Sequence, residues 1–195
     1  MLTKPLELRE LRDPASITGQ GTAAGAWGLD PTASRVEVTA KTYWGLVTVR
    51  GRFSGLYGRA TVAADSRITA ELTIDAASVG TANDKRDKHL RSADFFDVER
   101  HPYLRFAIDE VALTGAGTFT ASGRMTVAGS GQPVSFDGNI AVSTDGCQAE
   151  VDAAMEIDRT AFGLDHSPLG MIRRTVRGSA HLVFCAGTSG WAGAR

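Results

Sequence analysis

From Arg35 onward, apolar and polar residues alternate with a period of two, segment after segment. Val36, Val38 and Ala40 share one face of 35–42, and Arg35, Glu37, Thr39 and Lys41 the other. In 45–53, Val47, Val49 and Phe53 fall together while Thr48, Arg50 and Arg52 turn away. Leu56, Gly58, Ala60 and Val62 continue the pattern, then Ile68, Ala70, Leu72 and Ile74. After a central break come Leu104, Phe106 and Ile108, then Phe119, Ala121, Met125 and Val127, then Val134, Phe136, Ile140 and Val142. Ala149, Val151, Ala153, Met155 and Ile157 follow, and last Val176, Ala180, Leu182 and Phe184. Such alternation predicts strands with one face in water and the other in a shared interior. Asp65-Ser66, Gly115-Ala-Gly117, Gly129-Ser-Gly131 and Asp145-Gly146 supply the turn chemistry of antiparallel hairpins.

Eight or so long antiparallel strands close economically as a sandwich or as a barrel, and a barrel of about eight strands can hold one small ligand. The interior face includes Ala40, Gly58, Ala60, Ala70, Ala121, Gly138, Ala153, Gly178 and Ala180. That is too little bulk for a sandwich core at native density. The pattern therefore favours an all-β, extended antiparallel up-and-down (lipocalin-like) barrel around an apolar tunnel.

The central break is the segment 81–98. Asn83 or Asp84 can cap a short helix, and the spacing of Asp84 and Asp87 suits side chains that satisfy free donors of its first turn. Phe95 and Phe96 are neighbours, so one can seal the core while the other faces the barrel's contents. A loop this long in a barrel is expected to close or serve something.

At 195 residues with a net charge of −1, the chain is one domain with no global field to attract nucleic acid or anionic membrane. Residues 1–26 lack alternation and read as a mobile tail, 27–185 as the barrel, and 186–195 as a second tail. Charges interrupt every apolar pair of the first fourteen residues, and no stretch reaches the roughly 18 apolar residues of a membrane span. The expectation is a soluble, cytoplasmic protein with two free thiols, Cys147 and Cys185.

These segments resemble the YceI-like family of lipocalin-shaped, polyisoprenoid-binding barrels. The matching pieces are Trp27-Gly-Leu-Asp-Pro-Thr-Ala-Ser34, Val49-Arg-Gly-Arg-Phe53 and Leu72-Thr-Ile-Asp-Ala-Ala-Ser-Val79. They continue with Arg86-Asp-Lys-His-Leu-Arg-Ser-Ala-Asp-Phe-Phe-Asp-Val98, His101-Pro102 and Ile157-Asp-Arg-Thr-Ala-Phe-Gly-Leu164. The resemblance implies an extended barrel holding a long isoprenoid or amphiphilic chain, with no established catalytic mechanism. Two departures stand out: Ala33 and Thr42-Tyr43-Trp44 occupy places where the family often carries histidine.

The expected function is binding, transport or sequestration of an isoprenoid-like or similar lipid, quinone-like or a fatty amide, by a bacterial-type carrier that is not an enzyme. Burying a methylene gains roughly 0.8 kcal/mol, so several isoprene units supply roughly 10 kcal/mol gross. The expected ligand wall is Val36, Val38, Val47, Val49, Phe53, Ile74, Leu90, Phe95, Phe96, Phe106, Phe136, Met155 and Val176. Arg86, His89, Arg91 and Arg174 are the expected rim, where guanidinium groups meet an acidic headgroup. Arg174 shares the inward phase of Val176, although a bulge that resets the phase explains it equally well. Asp87 reads as an architectural cap. Phe162 or Leu164 is expected to plug one end beside Gly163, a residue suited to positive φ.

No second histidine sits at ligand spacing from His89, so neither a metal nor another cofactor is expected. No Gly-x-Ser-x-Gly elbow or phosphate-binding glycine loop is present, and no catalytic residues are expected. The alternative is an enzyme acting on a small hydrophobic molecule at the rim around Arg86, Asp87 and His89. A protein-binding scaffold is a third reading, and the chain allows a homodimer without specifying one.

Overall fold

A computed structural model describes residues 24–167 and 170–188. The alternating segments are strands: β1 Gly25–Leu29, β2 Arg35–Thr42, β3 Val47–Phe53, β4 Leu56–Val62, β5 Ile68–Asp75, β6 Val79–Gly80, β7 Tyr103–Gly115, β8 Thr118–Val127, β9 Ser130–Val142, β10 Gln148–Asp158 and β11 Thr175–Ala186. One α-helix, α1 (Asp84–Arg91), lies between β6 and β7. No helix among the described residues is long and apolar enough to cross a membrane.

Neighbours run β1-β4-β5-β7-β8-β9-β10-β11, and β11 returns to β1, closing an antiparallel eight-stranded barrel. β2 and β3 continue two of its walls past bends. β11 pairs with β1 through Trp27↔Ala186 and with β2 through Val36↔Ala180, so β1 and β2 act as one bent strand. The bend comes from Asp30, whose carboxylate accepts from the Thr32 amide at 2.8 Å and the Thr32 hydroxyl at 2.7 Å. Buried Ser34 then accepts from the Val183 amide at 2.9 Å, replacing a lost ladder bond.

The expected N-terminal tail lies outside the described residues up to residue 23. Gly25 and Ala26, assigned to it for want of alternation, instead begin β1. Gly25-Ala-Trp-Gly-Leu29 is too short and too small-sided to show a period, and pairing on both edges makes it a strand. Residues 189–195 of the expected C-terminal tail also lie outside the described residues. Cys147 and Cys185 are free thiols.

Two glycines show where close packing, not empty space, explains a small residue. Gly138 faces Phe119 across β8 and β9. A Cβ on Gly138 would run into the Phe119 ring and lie 2.7 Å from the Asp152 carbonyl oxygen. The missing side chain thus lets Phe119 bury itself near one end of the barrel. At Gly123, the β7–β8 register shifts between Ile108 and Glu110, leaving Asp109 as the extra residue of a bulge. A Cβ there would overlap the Ala107 carbonyl oxygen and lie 2.8 Å from Ile108 Cα. Gly123→Ala is expected to cost about 3 kcal/mol in urea unfolding, since backbone cannot give way as a flexible side chain can.

Candidate ligand-binding site

The barrel encloses a cavity of about 800 Å³, within the size range of small-molecule sites. Its walls are almost wholly apolar. Val36, Val38, Val49, Phe53, Ile74, Leu90, Phe95, Phe96, Phe106, Phe136, Met155 and Val176 all stand on them. Val47 does not: it pairs with Thr42 at the last rung of the β2–β3 hairpin and is 45 % exposed. Its phase is inward, but the hairpin has by then outrun the barrel. Trp27, Leu72, Leu104 and Leu182 also line the space. The last three were legible as inward positions of their strands.

One end of the cavity is covered by α1 and the turns after it. Asn83 caps α1, its side chain accepting from the Arg86 amide at 3.0 Å. Phe96 meets Phe53 edge-on with centroids 6.0 Å apart, while Phe95 packs edge-on against His89 at 5.2 Å and His166 at 5.4 Å. Both phenylalanines also line the cavity. Phe162 and Leu164 close the same end from the segment after β10. Between them, Gly163 takes φ 77°.

The polar residues divide in two. Arg86 and His89 stand on the cavity wall, with Asn83, Lys85 and His166 beside them. Arg86 also donates to the Thr81 hydroxyl at 2.7 Å and the Thr81 carbonyl at 2.8 Å. Arg91 is no rim group: it donates to the carbonyls of Ala77 and Val79, each at 2.8 Å, and so pins the end of α1 to β6. Arg174 precedes β11, where strand phase does not apply, and pairs with Asp158 at 2.6 Å on the outer surface. The Arg174 and Thr160 hydrogen bonds hold the Asp158 carboxyl far below its ordinary range.

The arginine that is buried at this end is Arg159. It donates to the carbonyls of Leu164, His166 (3.2 Å), Ile172 (3.3 Å) and Arg173 (3.0 Å). It thereby gathers residues 164–167 and 170–173 onto the barrel. Burial lowers its pKa, opposed by the charges of Asp165 and Asp158.

Asp87 is buried rather than set at the rim. Its carboxylate accepts from the Thr81 amide at 2.9 and 3.1 Å and from the Thr81 hydroxyl. It thus reaches back beyond the helix instead of satisfying the first turn. Burial alone would raise its pKa. The Thr81 hydroxyl and amide, then Arg91 and Arg86, outweigh burial and hold it below the ordinary carboxylate value. The folded state therefore favours the charged form. That stability is present above the ordinary carboxylate pKa of about 3.9 and is lost as pH falls through the lower folded value. Asp87→Asn is expected to cost about 2 kcal/mol at neutral pH, with the gap to wild type narrowing in acid, as chemical denaturation at the two pH values will show.

Residues 27–184 match the family model described as the YceI-like domain. A UPF0312 protein of Ectopseudomonas mendocina is 33 % identical over 123 residues, which is 62 % of this chain and 64 % of that relative. A UPF0312 protein of Pseudomonas putida strain GB-1 is 30 % identical over 139 residues, 70 % of this chain and 72 % of the relative. The matched stretches thus leave about a third of the first relative unspanned. Among solved structures, Burkholderia cenocepacia BcnA superimposes with a TM-score of 0.72 at 22 % identity, covering 80 % of this chain and 98 % of that one. A Saccharophagus degradans domain described as polyisoprenoid binding and implicated in plant cell wall breakdown gives 0.69 at 19 % identity, covering 83 % and 99 %.

Proposed function

The chain belongs to the YceI-like family, and on that premise we propose that it binds a long amphiphilic lipid of the isoprenoid kind inside its barrel, to carry or sequester it. The observation that carries this reading is the cavity: about 800 Å³, apolar along its walls, with Arg86, Lys85 and His89 gathered at one end. A hydrocarbon chain gains from such a wall without any specific polar contact, at roughly 0.8 kcal/mol per buried methylene. Guanidinium and ammonium groups at the mouth suit an acidic or strongly polar head. The polyisoprenoid-binding description of the Saccharophagus degradans neighbour points the same way.

An enzyme at the rim is the weaker reading. Of its three named groups, Asp87 is buried with Thr81 as its partner, and Arg86 offers only donors, which can meet a polar head but take no proton. His89 is left without a base or nucleophile of that set.

Calorimetric titration of lipid-stripped protein with isoprenoid alcohols of increasing length tests the proposal. Affinity is expected to climb roughly tenfold or more per added isoprene unit, then level off once the cavity is full. An affinity independent of chain length would contradict it.

A further inference from the structure

His89 and Asp94, neighbours on one connection, converge at the mouth with His166, which lies far along the chain from both. Each offers one ligand atom, and these atoms all lie within 4.8 Å of one another. His89 Nε2 is already 3.1 Å from Asp94 Oδ2. Neighbouring ligand atoms around a tetrahedral zinc ion stand about 3.3 Å apart, given metal–ligand bonds of about 2.0–2.1 Å. The rings of His89 and His166 meet edge-on, 5.0 Å between centroids, so modest side-chain rotation completes the triangle. The position of His166 is not accidental: Arg159 holds its backbone carbonyl at 3.2 Å. Ring packing accounts for two histidines beside Phe95 and a hydrogen bond joins Asp94 to His89, but neither requires the ligand atom of His166 to lie within 4.8 Å of both. We propose that His89, Asp94 and His166 bind one divalent first-row transition metal, with zinc the best match to two imidazoles and a carboxylate. Both histidines also line the cavity, which puts the site within reach of an oxygen at the head of a bound lipid. That last contact rests on the carrier reading; metal binding does not.

Untagged, chelator-treated protein, titrated with zinc chloride against a chromophoric chelator and without lipid, gives the test. One ion per chain is expected, with His89→Ala and His166→Ala each weakening binding more than ~10-fold. Asp94→Asn should weaken it while keeping the shape of the side chain, and Cys147→Ser should leave it unchanged. Zinc should raise the melting temperature of wild type and not that of His166→Ala. Absence of stoichiometric binding, or binding indifferent to both His166→Ala and Asp94→Asn, overturns the site and leaves the lipid reading untouched.

A separate observation concerns the β2–β3 turn. Tyr43, Trp44 and Leu46 are 53 %, 65 % and 86 % exposed. Tyr43 and Trp44 take φ values of 49° and 55°, a left-handed conformation unusual for bulky residues and a reason to look for function. The Trp44 amide donates to the Met171 carbonyl at 3.4 Å, and the Arg173 amide to the Lys41 carbonyl at 2.9 Å. The tip is thus held beside exposed Lys41 and Arg173, and Tyr43 also touches the cavity. Aromatic residues flanked by cations fit the headgroup region of a bilayer. We infer that this tip docks the barrel mouth onto an anionic lipid surface.

Sedimentation with mixed phosphatidylglycerol–phosphatidylcholine vesicles is expected to show binding that salt weakens and that vesicles of phosphatidylcholine alone reduce. Trp44→Ser with Leu46→Ser should lower partitioning roughly tenfold or more without changing the melting temperature. Equal partitioning of that variant, or none by wild type, overturns the inference. So does a dimer that the double substitution dissolves, which would assign the tip to a second copy of the chain.

Discussion

Phenylalanine at both Ala70 and Ala153 is expected to cut lipid affinity at least ~100-fold while leaving the melting temperature unchanged or raised. Ala70 lies on β5 and Ala153 on β10, on opposite walls of the ring, and both line the cavity. Two aromatic rings would take up space that a hydrocarbon chain otherwise fills, and losing contact with only a few methylenes, at roughly 0.8 kcal/mol each, reaches that factor. Filling a void differs from overpacking a core: rings that enter empty volume leave the neighbouring rotamers in place. Titration of both forms with the same isoprenoid, beside thermal melts, separates the outcomes. Unchanged affinity in a folded variant would place the ligand elsewhere. A large loss of stability would mean that the cavity is narrower than 800 Å³ implies.

Replacing Arg159 by Met is expected to cost about 3–5 kcal/mol, the scale of breaking a buried charge network. The carbonyls of Leu164, His166, Ile172 and Arg173 would each lose a charged donor. Arg159→Lys should recover only a small part, because an ammonium group lacks the planar fork that reaches several acceptors at once. Urea denaturation reads the cost. Amide exchange should quicken first in 164–167 and 170–173, since those residues are what Arg159 gathers. A loss near 0.5 kcal/mol, typical of surface changes, would show that the segment holds itself in place.

Most of the barrel could be read from the chain because alternation is a direct image of strand geometry: each inward residue must be apolar and each outward one need not be. The same rule failed where strand geometry stops. Arg174 and Val47 have inward phase, but Arg174 precedes the first residue of β11 and Val47 stands on a hairpin that extends past the mouth. β1 was invisible for the opposite reason, being a strand with too few bulky residues to show a period. The small inward residues pointed to a hollow interior, and the cavity agrees, yet Gly138 contributes by admitting the Phe119 ring. Of the polar residues, Arg86 and His89 were legible as mouth groups because they sit on the long connection between β6 and β7. Arg159 is masked by the turn signal of the motif it lies in, and its one sequence mark is a charge close to Phe162 and Gly163. His166 gave none: it meets His89 only because two distant connections close the same end, a consequence of topology rather than of spacing.

Native mass spectrometry of gently purified protein tests the hollow lumen most directly. The expected spectrum holds, beside the bare chain, a species heavier by one long-chain lipid, released on collisional activation and diminished when Ala70 and Ala153 are both phenylalanine. Bare chain alone, with a crystal structure showing side chains meeting across the barrel axis, would contradict it.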